Sequence, residues 1–237
     1  MNYETSFKRI AAISAIISAP LAVAGLVIVT LAVDFDFELM SDQSNLITLG
    51  ARSAGFFHWG EFLSIFGYYL LLIPVALYLW HWLRPHDPNL VNLYTVCGLG
   101  FIFIGVPGAI MRTNVLPEMM RAYAEASGAQ REVLEAVFKV LTEMAFTGGI
   151  GIILLGIWWL GIGLVLRSER RLLGIVTTVL GIAALGVSVG TIFHIEPLIM
   201  LEGIVFLLSP FWALWLGIVI WRRGEQSEQR VEEATAA

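Results

Sequence analysis

Two histidines, four carboxylates, one arginine and one tyrosine interrupt an otherwise apolar sequence, and they are the residues with which this chain could do chemistry. His58, Glu61 and Tyr68 stand at i, i+3 and i+10, which is one face of a helix. Arg112 ends one apolar run and Glu143 opens another. His194-Ile195-Glu196-Pro197 forms a tight connection that would bring His194 and Glu196 close to Glu202. Ionisable groups are expensive in hydrocarbon, so those lying inside or beside apolar spans mark a pair or a ligand path when they are buried. These eight residues are therefore the candidate lining of one ligand cavity.

Imidazole and carboxylate together are what zinc, iron or manganese sites use, which makes His58 and His194 the metal-ligand candidates. The six internal methionines, Met40, Met111, Met119, Met120, Met144 and Met200, fall on the same side and would add thioethers suited to copper(I). Against a catalytic reading, the chain has no His-Glu-x-x-His spacing, no Gly-rich phosphate loop and no nucleophile elbow. The lone Cys97 permits neither an intrachain disulfide nor a c-type haem attachment. No cofactor is expected. The alternative for the eight residues is interfacial: at the boundary of the hydrocarbon they can snorkel or meet water without a dedicated ligand.

The elements that must position them follow from composition. Of 237 residues 58% are hydrophobic and 14% charged, against about 45–50% and 25% in soluble domains. So much apolar surface has to face lipid. Six runs are long enough to span a bilayer, at about 10–33, 54–83, 90–112, 134–166, 172–193 and 198–221. The fold class is all-α, a polytopic membrane protein built as a six-transmembrane-helix bundle. The first run is read as an uncleaved span rather than a removable leader, since Ile10 to Val33 carries no charge. The domain reading is one membrane domain over 1–223 and a disordered cytoplasmic tail over 224–237, rich in Glu, Gln and Ser.

Nine of the fourteen basic residues fall on one side, among them the turn Arg167-Ser168-Glu169-Arg170-Arg171 and the pair Arg222-Arg223. Basic residues beside span ends resist translocation, so both termini are expected in the cytoplasm. The opposite side then holds the eight candidates. Asp34 to Ser53 reads as an acidic outer loop, and Thr113 to Gln130 as a long connection with a short helix starting at Pro117. Arg131 to Lys139 reads as a protruding start of the fourth span. Gly148, Gly149, Gly151, Gly156, Gly161 and Gly163 face Gly174, Gly181, Gly186 and Gly190 across the Arg-rich turn, which predicts a glycine-packed antiparallel hairpin. Trp80, Trp82, Trp212, Trp215, Trp221 and Trp59 read as belts at the two interfaces.

The chain resembles a family of bacterial six-helix integral membrane proteins grouped only as a domain of unknown function. The resemblance rests on Lys8-Arg9-Ile10-Ala11-Ala12, on Tyr69 to Tyr78 leading to Leu83-Arg84-Pro85, and on Trp158-Trp159-Leu160-Gly161 through Arg167-Ser168 to Leu172-Leu173-Gly174-Ile175. It implies six helices in the bacterial cytoplasmic (inner) membrane and carries over no catalytic residue. The function expected is a binding or structural membrane subunit. Its partners would be the lipid bilayer and a partner membrane subunit or second copy docked through the Gly-rich helices. A net charge of −5 without a basic face excludes nucleic acid. The alternatives are a small-solute or ion transporter or receptor with a polar cavity at the outer face, and a metal-dependent membrane enzyme.

Overall fold

The computed structural model of the protein describes residues 3–36, 39, 43–145 and 148–236, with the side chains of 3–5, 43–44, 143, 148–149 and 224–236 outside that set. Among the described residues every regular element is helical. α1 spans Tyr3–Ala32, and a 3-10 segment Gln43–Leu49 leads into α2, Gly50–Ser64. A π-helical stretch, Ile65–Leu70, joins α2 to α3, Leu72–Leu83. Then follow α4 (Pro88–Glu125), α5 (Ala129–Ala145), α6 (Gly148–Glu169), α7 (Arg171–Phe193), the short α8 (Glu196–Ile199) and α9 (Leu201–Ala236). Six stretches are long and apolar enough to cross a membrane: Ser6–Ala32, Asn45–Leu83, Pro88–Glu125, Ile150–Glu169, Arg171–Phe193 and Glu196–Arg223. Sequence and structure agree on six such spans.

They differ at particular ends. α4 continues through Pro117 to Glu125, so the short helix expected to start at Pro117 is the end of the third span. The fourth apolar span covers Ile150–Glu169, and the residues 134–145 expected to start it lie in the more polar helix α5. The expected irregular tail over 224–237 falls on side chains outside the described set, and the backbone there continues α9 to Ala236.

The chain divides into two compact units, each described by itself. The first comprises Met1–Pro20, Leu71–Ile102 and Gly149–Ala237; the second comprises Leu21–Leu70 and Phe103–Gly148. In the first unit, α6 and α7 form the predicted glycine-faced hairpin. A Cβ on Gly174 would lie 2.5 Å from the Arg167 nitrogen, and one on Gly181 2.3 Å from the Leu160 nitrogen. The backbones thus approach where helices in lipid gain most of their contact. Gly190 packs instead on Leu198 and Ile199, receiving the short α8. Trp158 and Trp159 are fully buried and meet Trp212 edge-to-face at 6.1 and 5.2 Å. Trp212 therefore belongs to a buried core, not to an interfacial belt, and its indole N–H donates to Thr177 Oγ1 at 2.9 Å.

The second unit packs around Leu46, Ile47, Phe57, Leu116, Met120 and Phe138, with Ala32, Val33 and Ala54. Leu46 and Ile47 carry the 3-10 segment into this core, so this part of the expected outer loop is packed. The same core fixes the ends of α2, α4 and α5 that carry His58, Glu61 and Arg112.

Candidate functional site

A proline inside a helix leaves the carbonyl four residues back without its donor. Pro117 does this to Thr113 in α4, and a bare carbonyl in an apolar setting costs several kcal/mol. His58 on α2 supplies the missing proton, its Nδ1 lying 2.6 Å from the Thr113 carbonyl oxygen. A carbonyl only accepts, so Nδ1 carries the hydrogen. Thr113 returns its own hydroxyl to the Ala109 carbonyl at 2.8 Å. This repair is why α4 passes through Pro117 unbroken. In α9, Ser209 makes the equivalent bond, donating to the Phe206 carbonyl that Pro210 leaves open, at 3.0 Å.

Next to Thr113 stands Arg112, 8% exposed, beside Glu61, 7% exposed. Arg112 Nε donates to Glu61 Oε2 at 2.9 Å, and Nη1 donates to the Ala145 carbonyl at 2.8 Å. Tyr69 also hydrogen-bonds the guanidinium. The Ala145 carbonyl belongs to α5, so this bond ties α4 to α5. Arg112 thus pairs with Glu61 and holds the Ala145 carbonyl of α5 in one placement. Two glycines make room for it. A Cβ on Gly108, one turn before Arg112, would lie 2.6 Å from the Ala145 oxygen, and one on Gly105 would lie 2.0 Å from Tyr69 Cε1.

The sequence reading selected Tyr68 and missed Tyr69. In an unbroken α-helix Tyr68, seven residues after Glu61, returns to the face of Glu61. The π-helical stretch Ile65–Leu70 inserts about one extra residue per turn, so the eighth residue, Tyr69, comes round to Arg112. Tyr68 is half-buried and has partners of its own. The signal that could have indicated Tyr69 is Gly105 on the facing helix, an empty place of the size of a ring.

The eight candidates divide between the two units. His58, Glu61, Tyr68, Arg112 and Glu143 belong to the second, where Glu61 and Arg112 are paired; the side chain of Glu143 lies outside the described residues. His194, Glu196 and Glu202 belong to the first. There His194 is an exposed helix terminator in the left-handed region at φ 54°, its N–H and that of Ile195 both returning to the Gly190 carbonyl. Glu196 is exposed at the start of α8, and Glu202 is half-buried in the first turn of α9. Among the described residues no three His, Cys, Asp or Glu side chains are grouped as a metal would need.

A second polar cluster lies in the first unit. Glu169, ending α6, meets His86 Nε2 at 3.1 Å and Arg223 Nη1 at 3.3 Å, and Arg223 stacks on Trp82 at 4.4 Å. It ties the turn after α3, the α6–α7 turn and α9 together. These groups are about one-third exposed, which limits each ion pair to a fraction of a kcal/mol.

No curated protein and no solved structure matches the chain. Residues 10–221 match the family described as a domain of unknown function, DUF4386. That interval contains all six apolar spans, apart from the first residues of one and the last two of another, and every candidate residue, so the chain belongs to this family of membrane-type helical proteins, DUF4386.

Proposed function

We propose that the protein is a binding or structural subunit of the bacterial inner membrane, with both termini in the cytoplasm. It acts by holding a partner rather than by turning over a substrate. One observation carries this reading: His58, Glu61 and Arg112, the candidate residues brought together in the second unit, are engaged by the fold itself. Arg112 is held by Glu61, Tyr69 and the Ala145 carbonyl, and His58 by the Thr113 carbonyl. A group that already pairs with a buried carboxylate and holds a backbone carbonyl is a poor catalyst or ligand, because releasing it exposes both partners unpaired. Spans made of helices suit the inner membrane, since outer-membrane proteins are closed barrels. The bias of basic residues supports the cytoplasmic termini. Purification in mild detergent followed by native mass spectrometry tests the reading. The expected species is a complex of defined stoichiometry, with a second copy or another membrane protein; a monomer with no protein bound would remove it.

A second reading, a small-solute receptor or transporter, is favoured by the π-helical turn at Tyr69, because such turns recur where helices bind ligands. In that reading a small anion displaces Glu61 from Arg112. Thermal shift with acetate, succinate and inorganic phosphate would then stabilise the native protein but not the Arg112→Gln variant. Equal shifts in both proteins count against it.

A further inference from the structure

α5 divides into three sectors. Leu134, Phe138, Leu141 and Ala145 turn inward on the second unit's core or its edge. Arg131, Glu132, Glu135 and Lys139 occupy the far side, where Glu135 bonds the Tyr123 hydroxyl and Arg131 stacks on the Tyr123 ring at 4.7 Å. Between these sectors runs a third, at spacings of four and three residues. Val133 is 62% exposed, Val137 45% and Val140 56%, with Met144 extending the line at 59%. The helix's apolar face is therefore about twice as wide as the part covered by protein. A helix projecting into water would leave three valines bare. A helix crossing the membrane would drag five or more charges through it, and α5 is outside the six spans.

We infer that α5 is an interfacial helix, lying with its Val133–Val137–Val140 stripe in the boundary between headgroups and acyl chains. Its inner stripe rests on the protein and its charged sector meets water. Two further observations favour lipid as the occupant. The same unit already presents Phe56, Trp59, Phe62, Ile110 and Val115 outward, all within apolar spans, so exposed apolar side chains of lipid-facing character are the rule in this unit. Trp59, Phe62 and Phe66 form an edge-to-face series along the helical stretch there, with Trp59 exposed as interfacial tryptophans are. Along α5 Arg131 and Lys139 are outnumbered by Glu132, Glu135 and Glu143, so the seating is apolar and does not depend on anionic lipid.

The test places single cysteines at Val137, Val140, Glu135 and Lys139 in a Cys97→Ala background, each labelled with an environment-sensitive fluorophore. The proteins are reconstituted in zwitterionic phosphatidylcholine vesicles carrying brominated acyl chains. Labels at 137 and 140 are expected to be quenched by the bromolipid and protected from aqueous iodide, those at 135 and 139 the reverse, with no change on adding anionic lipid. Iodide quenching at 137 and 140 overturns the inference. So does protection from both quenchers, which would mean that a second copy or another protein covers the stripe. Unsubstituted protein provides an independent measurement: an acyl-chain diazirine should leave adducts within residues 129–145, and their absence would refute lipid seating.

Discussion

Arg112 cannot stand alone where it is, and neither can Glu61, because both are buried and each is the other's ion-pair partner. Removing one partner of such a pair costs about 3–5 kcal/mol, whereas replacing both by apolar groups of similar size is often close to neutral. Glu61→Leu and Arg112→Leu should therefore each lower the melting temperature sharply, and the double variant should recover most of the loss. His58 makes a related prediction with a built-in control. His58→Leu leaves the Thr113 carbonyl bare and is expected to destabilise by about 1–3 kcal/mol, while Pro117→Ala restores the helical donor. In the Pro117→Ala background the His58→Leu cost should fall by more than half, and additive effects in thermal unfolding would contradict the assigned bond. His194 tests the opposite case. Its left-handed backbone favours glycine, so His194→Gly should raise stability by about 1 kcal/mol if the residue only ends α7. A loss of stability there would mean that the imidazole holds something.

Helices α2, α4 and α5 meet around places where side chains are missing. Gly105 and Gly108 stand two turns and one turn before Arg112, and the Tyr69 ring and the Ala145 carbonyl occupy the room they leave. Gly108→Ala should push the last turn of α5 off Arg112, and Gly105→Ala should push Tyr69 off. Both should accelerate hydrogen exchange at the ends of α2 and α5 while leaving α6 and α7 protected. In the hairpin, Gly181→Val would drive a branched side chain into the Leu160 backbone, and severe loss of folded protein in the membrane fraction is the expected outcome. The hairpin was legible in the sequence because small residues on two consecutive apolar runs, joined by a short basic turn, leave one arrangement. The partnership of Tyr69 was not, because a π turn is a local slip in register that leaves no mark on a hydrophobic pattern.

At the scale of the whole molecule, the placement of basic residues predicts that a phosphatase fused after the last span stays inactive and a fluorescent protein there lights up, as cytoplasmic termini require. An active phosphatase would reverse the orientation. Composition and spacing alone determined the class of solvent, the six apolar spans and the residues expensive enough to matter, because the bilayer imposes one long, uncharged stretch per crossing and penalises every exception. Tertiary structure decided what those exceptions do. Whether a buried arginine binds a solute or braces the fold depends on what lies within hydrogen-bonding reach of its nitrogens, and the Ala145 carbonyl, 2.8 Å away, is a backbone atom with no signature in the residue type. The same holds for the length of α4. Pro117 argues for a stop, and only a histidine from 55 positions earlier, brought alongside by the packing of Phe57, Leu116 and Phe138, supplies the hydrogen bond that lets the helix continue.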